Sequence, residues 1–235
     1  MEKILFEIVD HYIDGLFAEE DQALANVVPS LDEAGMPQIS VSPNQGKFLQ
    51  VMAMICKAKN ILEVGTLGGY STIWMARALP EDGKLVTLEL EPLHAEVAQR
   101  NIDRTGLGSR VEIRIGNALE TLPQLLNENA GPFDMIFIDA DKISYPEYFK
   151  HVLSLAHSGT VIIADHVVRK GAVIDSNSRD QRVIGVRRFH SMVSQEKRVS
   201  ATIMQLVGIK GHDGMAVMVV RCKYSHFPFG RIIYF

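Results

Sequence analysis

Residues 60–71, NILEVGTLGGYS, combine a short apolar run, an acid near its end and a glycine-rich turn. A run of this length is typical of a buried strand, and the glycines that follow permit a tight turn into a helix. Beyond this stretch the chain alternates short apolar runs with longer segments of helical periodicity. That alternation is typical of βαβ units, so we predict an α/β fold with a mostly parallel, doubly wound sheet.

The alternation also gives approximate boundaries for the elements of this core. The predicted strands cover about 60–64, 84–89, 110–115, 133–138 and 159–164. The predicted helices cover about 70–79, 93–105, 117–128, 145–156 and 180–195. Two further apolar runs, 201–207 and 215–220, flank a turn-rich stretch at 210–214, which predicts a C-terminal antiparallel hairpin.

The residues before the core are predicted to be helical. Apolar residues from Ile4 to Phe17 recur with the spacing of one helix face, and a second helix is expected at about 22–34. Ser42, Pro43 and Gln45 predict a helix start with a capping box. We expect one domain over 1–235, divided into N-terminal helices (1–58), a core (59–222) and a C-terminal tail (223–235). The aromatic residues of that tail would either cover a partner surface or fray.

The composition excludes several classes of protein. The chain has 235 residues, of which 47% are hydrophobic and 22% charged, as in ordinary folded proteins. A net charge of -4 argues against an electrostatic grip on nucleic acid. The apolar runs are too short to cross a membrane, and the N-terminus does not resemble a secretory signal, so we expect a cytoplasmic protein. Cys56 and Cys222 are predicted to be thiols rather than a disulfide.

Acidic residues recur where the predicted parallel strands end. Glu63, Glu89, Asp139 and Asp165 each stand at the end of a different strand, and Asp141 and His166 follow closely. Ligands of open α/β sheets bind beyond the carboxyl ends of the strands. One such acid could be a helix cap or a solvated end, but several together repel each other unless a cation or a donor-rich ligand is bound. The site is therefore predicted to bind something positive.

The glycine-rich loop helps to identify that ligand. A dinucleotide-binding loop would need glycine at the positions of Leu67 and Tyr70, which disfavours an NAD-dependent oxidoreductase. The remaining glycines still allow close approach of the backbone, and the helix that follows offers free N–H groups to a carboxylate. Glu89 is placed to accept the two hydroxyls of a ribose. The site is therefore predicted to bind a ligand with an adenosine, a carboxylate and a positive centre. S-adenosylmethionine has all three.

The motif from Glu63 to Ser71, together with the later stretch from Phe133 to Lys142 that ends IDADK, resembles the cation-dependent O-methyltransferases. This family includes caffeoyl-CoA and catechol O-methyltransferases, and the resemblance extends from Ser42 to the final hairpin. It implies a Rossmann-like methyltransferase fold, a homodimer, S-adenosyl-L-methionine as cofactor, a divalent metal and a small phenolic acceptor. A nucleic-acid methyltransferase is disfavoured, because strand four ends in Asp-Ala-Asp-Lys rather than an Asn-Pro-Pro-Tyr loop.

The resemblance also assigns roles to individual residues. It implies that the ribose of the cofactor binds Glu89, that the adenine lies at Ala118, and that Asp139 and Asp141 also contact the cofactor. The residues implied at its methionine end are Val41, Glu63, Gly65, Thr66 and Ser71. The three metal-ligand positions are Asp139, Asp165 and His166. Lys142 and Asp139 are the implied catalytic residues, with Lys142 accepting the proton of the acceptor hydroxyl.

His166 departs from the family, which usually has asparagine after the aspartate of strand five. Imidazole suits Mn, Fe, Co or Zn better than Mg or Ca, which leaves the identity of the metal open. The alternative is that His166 points away, and that the chain is a cofactor-binding methyltransferase-fold protein with an altered or lost metal site and another acceptor.

The acceptor side of the site is described least well by the sequence. Two neighbouring oxygens of a catechol would complete the coordination of the metal. Tyr70 and Tyr145 would either stack on an aromatic acceptor or pack against nearby helices. The polar segment 167–182 is a candidate lid that would set substrate choice.

Overall fold

A computed structural model describes residues 2–222 of the chain. The predicted tail at 223–235 lies outside the described residues, and its role stays a prediction. The helices are α1 (Glu2–Phe17), α2 (Gln22–Ala25), α3 (Val27–Glu33), α4 (Pro43–Ile55), α5 (Tyr70–Ala76), α6 (Pro92–Arg104), α7 (Ala118–Asn127), α8 (Tyr145–Ser154) and α9 (Gln181–Gln195). The strands are β1 (Asn60–Val64), β2 (Lys84–Glu89), β3 (Val111–Ile115), β4 (Phe133–Ile138), β5 (Ala156–Ala164), β6 (Val199–Gly208) and β7 (Gly211–Val220).

Within residues 2–222 the strands form one seven-stranded sheet in the order β3-β2-β1-β4-β5-β7-β6. The first five strands are parallel, β7 is antiparallel to β5, and β6 is antiparallel to β7. The predicted doubly wound sheet with a C-terminal antiparallel hairpin is therefore confirmed. The order reverses between β1 and β4, and such a reversal opens a crevice beyond the carboxyl ends of these two strands.

Alternating side chains of the strands build one hydrophobic core on each face of the sheet. In β4, Ile136 and Ile138 join the core that α7, α8 and α9 cover, whereas Met135 and Phe137 join the core that α4, α5 and α6 cover. Both cores are fully buried at these positions. None of the described helices is both long and apolar enough to cross a membrane.

The N-terminal prediction is right in part. Ser42 caps α4 as predicted: its hydroxyl accepts from the Gln45 amide at 3.3 Å, while the Gln45 side chain accepts from the Ser42 amide at 2.9 Å. The single helix predicted at 22–34 is wrong, because the chain forms α2 and α3 with a break at Asn26. Pro29 accounts for the break, since it has no N–H to donate to the carbonyl of Ala25.

The hairpin prediction needs a second correction. The turn-rich stretch at 210–214 is mostly strand, and the reversal is confined to two residues between Gly208 and Gly211, which face each other across the hairpin. Gly211 has φ +88°, a left-handed conformation that glycine adopts at little cost. The shorter turn brings Asp213 into β7, beside the end of β5.

Candidate functional site

A cavity of about 770 Å³ opens at the carboxyl ends of the parallel strands. Its volume is in the range of ligand-binding cavities. Most of the predicted site residues line it: Val41, Gly65, Thr66, Ser71, Glu89, Ala118, Asp139, Asp141, Lys142 and His166. Glu63 and Asp165 do not line it, and both are buried behind its wall.

The loop after β1 forms one wall of the cavity, and glycine is required where it begins. Gly65 has φ +100°, and an added Cβ would collide with the backbone carbonyl of Asp139 at the end of β4. The Gly65 amide donates to the carbonyl of Leu88 at 3.0 Å. The loop is therefore held between the ends of β2 and β4, with its backbone open to the cavity.

Glu89, at the end of β2, fixes the same loop from the other side. One carboxylate oxygen accepts from the amides of Thr66 and Leu67 at 3.1 and 2.8 Å, and the other accepts from the Glu91 amide at 3.0 Å. His94 lies 3.4 Å from this second oxygen. These contacts hold a carboxylate at the cavity wall.

Glu63, predicted at the methionine end of the cofactor, lies behind the wall of the cavity rather than on its surface. Its side chain is fully buried and accepts from the hydroxyls of Ser71, Thr72 and Thr87, at 2.6 Å from Ser71 and 2.7 Å from Thr87. Burial raises its pKa to about 7 against the opposing effect of these hydrogen bonds. In this structure Glu63 orients Ser71, which does line the cavity.

Asp139, Asp165 and His166 come together at the ends of β4 and β5. Each offers one ligand atom within 4.8 Å of the others. His166 Nδ1 lies 3.4 Å from Asp139 and 3.2 Å from Asp165. His166, the residue after Asp165, has φ 57°. This left-handed conformation is less rare for asparagine and histidine than for most residues.

The chemistry of this cluster fits a cation. Asp165 Oδ2 and His166 Nδ1 are buried and form no hydrogen bond of normal geometry with the described residues, although they lie 3.2 Å apart as an ion pair. Burial lowers the pKa of His166, but the carboxylates of Asp139 and Asp165 outweigh that effect and raise it to about 10. Burial acts to raise the pKa of Asp139, yet the positive charges of Lys142 and His166 lower it. The two carboxylates thus attract positive charge to the position of the His166 nitrogen. Two carboxylates and one imidazole nitrogen are a suitable set of ligands for a divalent metal.

Lys142 is almost fully buried beside this cluster, and all three of its N–H donors are used. They reach Asp139 Oδ1 at 2.7 Å, the Ala140 carbonyl at 2.9 Å and the Tyr145 hydroxyl at 2.8 Å. Tyr145 is 1% exposed, so it does not stack on a ligand as one prediction proposed. Its hydroxyl donates instead to the carbonyls of Ile138 and Asp165, at 3.1 and 2.9 Å.

Two other tyrosines, Tyr70 and Tyr148, belong to the wall of the cavity. Tyr70 is 3% exposed and donates to Glu20 at 2.7 Å, so it packs at the wall. Tyr148 lines the cavity and donates to Asp141 at 2.6 Å, while the Ser144 amide donates to the same carboxylate at 3.1 Å. Tyr148 was not predicted as a site residue, although its spacing of three from Tyr145 on one helix indicates that the two share a face.

The predicted lid at 167–182 is anchored at its start. A 3-10 helix covers Arg169–Ile174, and one carboxylate oxygen of Asp213 accepts from the amides of Val168 and Arg169 at 2.9 and 2.8 Å. Arg169 and Arg182 belong to this predicted segment and line the cavity, although neither was named individually as a site residue. The anchor comes from the hairpin, more than 40 residues along the chain, so no local pattern predicts it.

The family model for O-methyltransferases matches residues 16–220. A catechol O-methyltransferase of Niastella koreensis is 60% identical over 221 residues, which cover 94% of this chain and all of the relative. One of Mycobacterium tuberculosis is 44% identical, over 91% of this chain and 95% of the relative.

Solved structures agree with this assignment. An O-methyltransferase from Bacillus cereus in complex with SAH is 50% identical, with a TM-score of 0.91 over 93% of this chain and 99% of the other. The O-methyltransferase TomG from Streptomyces achromogenes, in complex with SAM, is 44% identical, with a TM-score of 0.92 over 94% of this chain and 100% of the other. Sequence, fold and site geometry lead to the same result, and the chain belongs to the O-methyltransferase family.

Proposed function

We propose that this enzyme transfers a methyl group from S-adenosyl-L-methionine to one hydroxyl of a vicinal dihydroxy aromatic, with a divalent cation bound beside the acceptor. The observation that carries the proposal is the cluster of Asp139, Asp165 and His166, which brings three ligand atoms within 4.8 Å of one another, two of them buried without a regular hydrogen bond, and opens on the same cavity as Glu89. Two relatives that cover almost the whole chain are named catechol O-methyltransferases, which supports the choice of acceptor.

The cofactor is proposed to lie along the part of the cavity formed by β1, β2 and α7. Glu89 offers its free lone pairs to the ribose hydroxyls, and Ala118 lies at the start of α7, where the adenine would rest. Val41, Gly65, Thr66 and Ser71 line the wall proposed for the methionine end, with Asp141 and Asp139 beyond them. Ser71 is held there by its hydrogen bond to the buried Glu63.

The metal would be held by Asp139, Asp165 and His166, and it would supply Lewis acidity that makes the acceptor hydroxyl easier to ionise. The acceptor oxygen attacks the methyl carbon as the carbon–sulfur bond breaks, and the hydroxyl proton passes to Lys142 Nζ. For this, Lys142 Nζ must first have lost to solvent one of the three protons that it donates in these hydrogen bonds, so that it presents a lone pair to the hydroxyl proton. Tyr145 holds the amine close to Asp139 while it does so.

Methyl transfer to catechol tests the proposal directly. Purified enzyme is incubated with S-adenosyl-L-methionine, catechol and one of several divalent ions, and the methylated product is measured by mass spectrometry. Product that requires both oxygens of the diol is the expected result. Cofactor binding without product from any diol would instead favour the alternative, a methyltransferase-fold protein with another acceptor.

We also propose that the chain forms a homodimer through α1. An apolar stripe on this helix is exposed, with exposed fractions of 56% at Leu5, 60% at Ile8 and 69% at Tyr12. Leu5, Ile8 and Tyr12 follow the spacing of one helix face, so they form a continuous patch. A patch of this kind on a folded chain is typical of an interface, and a second copy of the same helix would cover it.

A further inference from the structure

The acceptor end of the cavity contains an arginine whose guanidinium forms no hydrogen bond or ion pair with the described residues; its nearest influence on an acid is a small one on Asp180, whose pKa is lowered mainly by Arg182 and less by Arg169. Arg169 lines the cavity, and its Nε is buried without a hydrogen-bond partner among the described residues. Within residues 2–222 its guanidinium takes part in no hydrogen bond or ion pair. A buried donor left unpaired costs free energy, which a ligand that accepts from it would recover.

The other cations that line the cavity are already paired. Lys142 contacts Asp139 at 2.7 Å, and Arg182 contacts Asp180 through two nitrogens at 3.2 and 3.0 Å. His94 lies beside Glu89. His166 lies beside Asp139 and Asp165, so among the cations of the described wall Arg169 is the one whose guanidinium forms no ion pair and can receive an anionic group.

The backbone around Arg169 is fixed in an unusual conformation that directs this side chain. Arg169 has φ 55°, in the left-handed region that residues other than glycine rarely adopt. Its amide and that of Val168 donate to Asp213, so the hairpin holds the turn in place. Strain of this kind persists only where the surrounding structure enforces it, and it is concentrated at ligand sites.

Arg169 lies at the acceptor end rather than at the cofactor end. It follows the proposed metal ligand His166 by three residues, and both line the cavity. Most of the cofactor contacts proposed above lie at or after the ends of β1, β2 and β3, and the others are Val41 before α4 and Asp139 and Asp141 after β4.

We propose that Arg169 binds a carboxylate on the acceptor, and that the preferred acceptors are catechols with an anionic substituent on the ring or on a short side chain. The inference rests on the proposed function and names its substrate class. The vicinal hydroxyls occupy the end of the cavity at Asp139, and the carboxylate accepts from the guanidinium in the paired geometry that arginine favours. Without Arg169, an anionic acceptor would enter a cavity already lined by Glu89, Asp139 and Asp141.

The test compares 3,4-dihydroxybenzoate with its uncharged amide, 3,4-dihydroxybenzamide, at saturating S-adenosyl-L-methionine. In the unmodified enzyme kcat/KM should be about tenfold or more higher for the acid, as expected for one charge-assisted hydrogen bond. In Arg169→Gln the ratio of acid to amide should fall by about tenfold or more, mainly through KM for the acid. The intrinsic reactivities of the two diols cancel when this ratio is compared between enzyme forms.

Lys170→Gln is the matched control. Lys170 is the next residue, has the same φ of 55° and does not line the cavity, so its loss changes the charge of the segment but not the site. It should keep the ratio of the unmodified enzyme, and Arg169→Lys should keep part of it. An equal ratio in the unmodified enzyme and Arg169→Gln, with the amide still methylated, overturns the inference and leaves the proposed function standing. Failure of the unmodified enzyme to methylate either diol overturns both.

Discussion

Replacing Tyr145 by phenylalanine tests how Lys142 is held for proton transfer. The change removes only a hydroxyl from a side chain that is 1% exposed, so the packing of the ring is kept. It also removes the 2.8 Å contact to Lys142 Nζ and the donor that the carbonyls of Ile138 and Asp165 share. The amine would then be held by Asp139 and the Ala140 carbonyl alone.

The size of the effect follows from these contacts. A hydrogen bond with one charged partner contributes about 1.5–3 kcal/mol, so the free energy of unfolding should fall by about 2 kcal/mol. If about 1.4 kcal/mol of that is lost in placing Lys142 against the acceptor, kcat falls about tenfold. KM for S-adenosyl-L-methionine should stay unchanged, because Tyr145 is not part of the cavity wall.

Tyr148→Phe is the comparison for this experiment. Tyr148 lies one helical turn further along α8, and its hydroxyl holds Asp141 on the side proposed for the cofactor. Its loss should raise KM for S-adenosyl-L-methionine and leave kcat nearly unchanged. Steady-state kinetics on catechol, with chemical denaturation of each variant, separate the two effects. A kcat for Tyr145→Phe equal to that of the unmodified enzyme would refute the role given to Tyr145.

Three further predictions concern other parts of the molecule. Folding raises the pKa of Glu63 from 4.5 to about 7, so between these pH values the folded carboxyl keeps a proton that the unfolded one loses. The free energy of unfolding should therefore fall by about 3 kcal/mol from pH 4.5 to pH 7. Denaturation of Glu63→Gln over this range should lack that decline, and an unchanged slope would contradict the buried carboxyl. His166→Asn should shift the metal preference in catechol methylation toward Mg, and the same order of metals in both forms would exclude His166 as a ligand. Tyr12→Glu should give a monomer in analytical ultracentrifugation, whereas an intact dimer would exclude α1 as the interface.

The sequence predicts most of the fold because hydrophobic periodicity reports directly on burial. The parallel strands match the prediction to within a few residues, and the capping box at Ser42 was found from three side chains. The break between α2 and α3 was missed although Pro29 signals it. The hairpin turn was misplaced because glycine and aspartate at 211–214, typical turn residues, lie in a strand where Asp213 has a separate task as an anchor.

The candidate site divides in the same way. Acids at strand ends could be collected from sequence, since the carboxyl ends of parallel strands meet at one edge, and the cavity contains most of them. The place of Glu63 behind the wall depends on which face of β1 it occupies. Side chains two residues apart in a strand lie on the same face, so Glu63 shares its face with the buried Ile61. The contacts of Tyr145 with the Asp165 carbonyl, and of Asp213 with the segment at Arg169, join distant parts of the chain. Such contacts appear only when the strands are assembled.

The central claim is that methyl transfer to a catechol depends on a cation held by Asp139, Asp165 and His166. Its most direct test is the initial rate of catechol methylation after the enzyme is treated with a chelator and separated from it, with binding of S-adenosyl-L-methionine followed by calorimetry in parallel. The treated enzyme should lose its activity, keep its affinity for the cofactor and recover when a divalent ion is added back. Full turnover in the continued presence of excess chelator would contradict the claim.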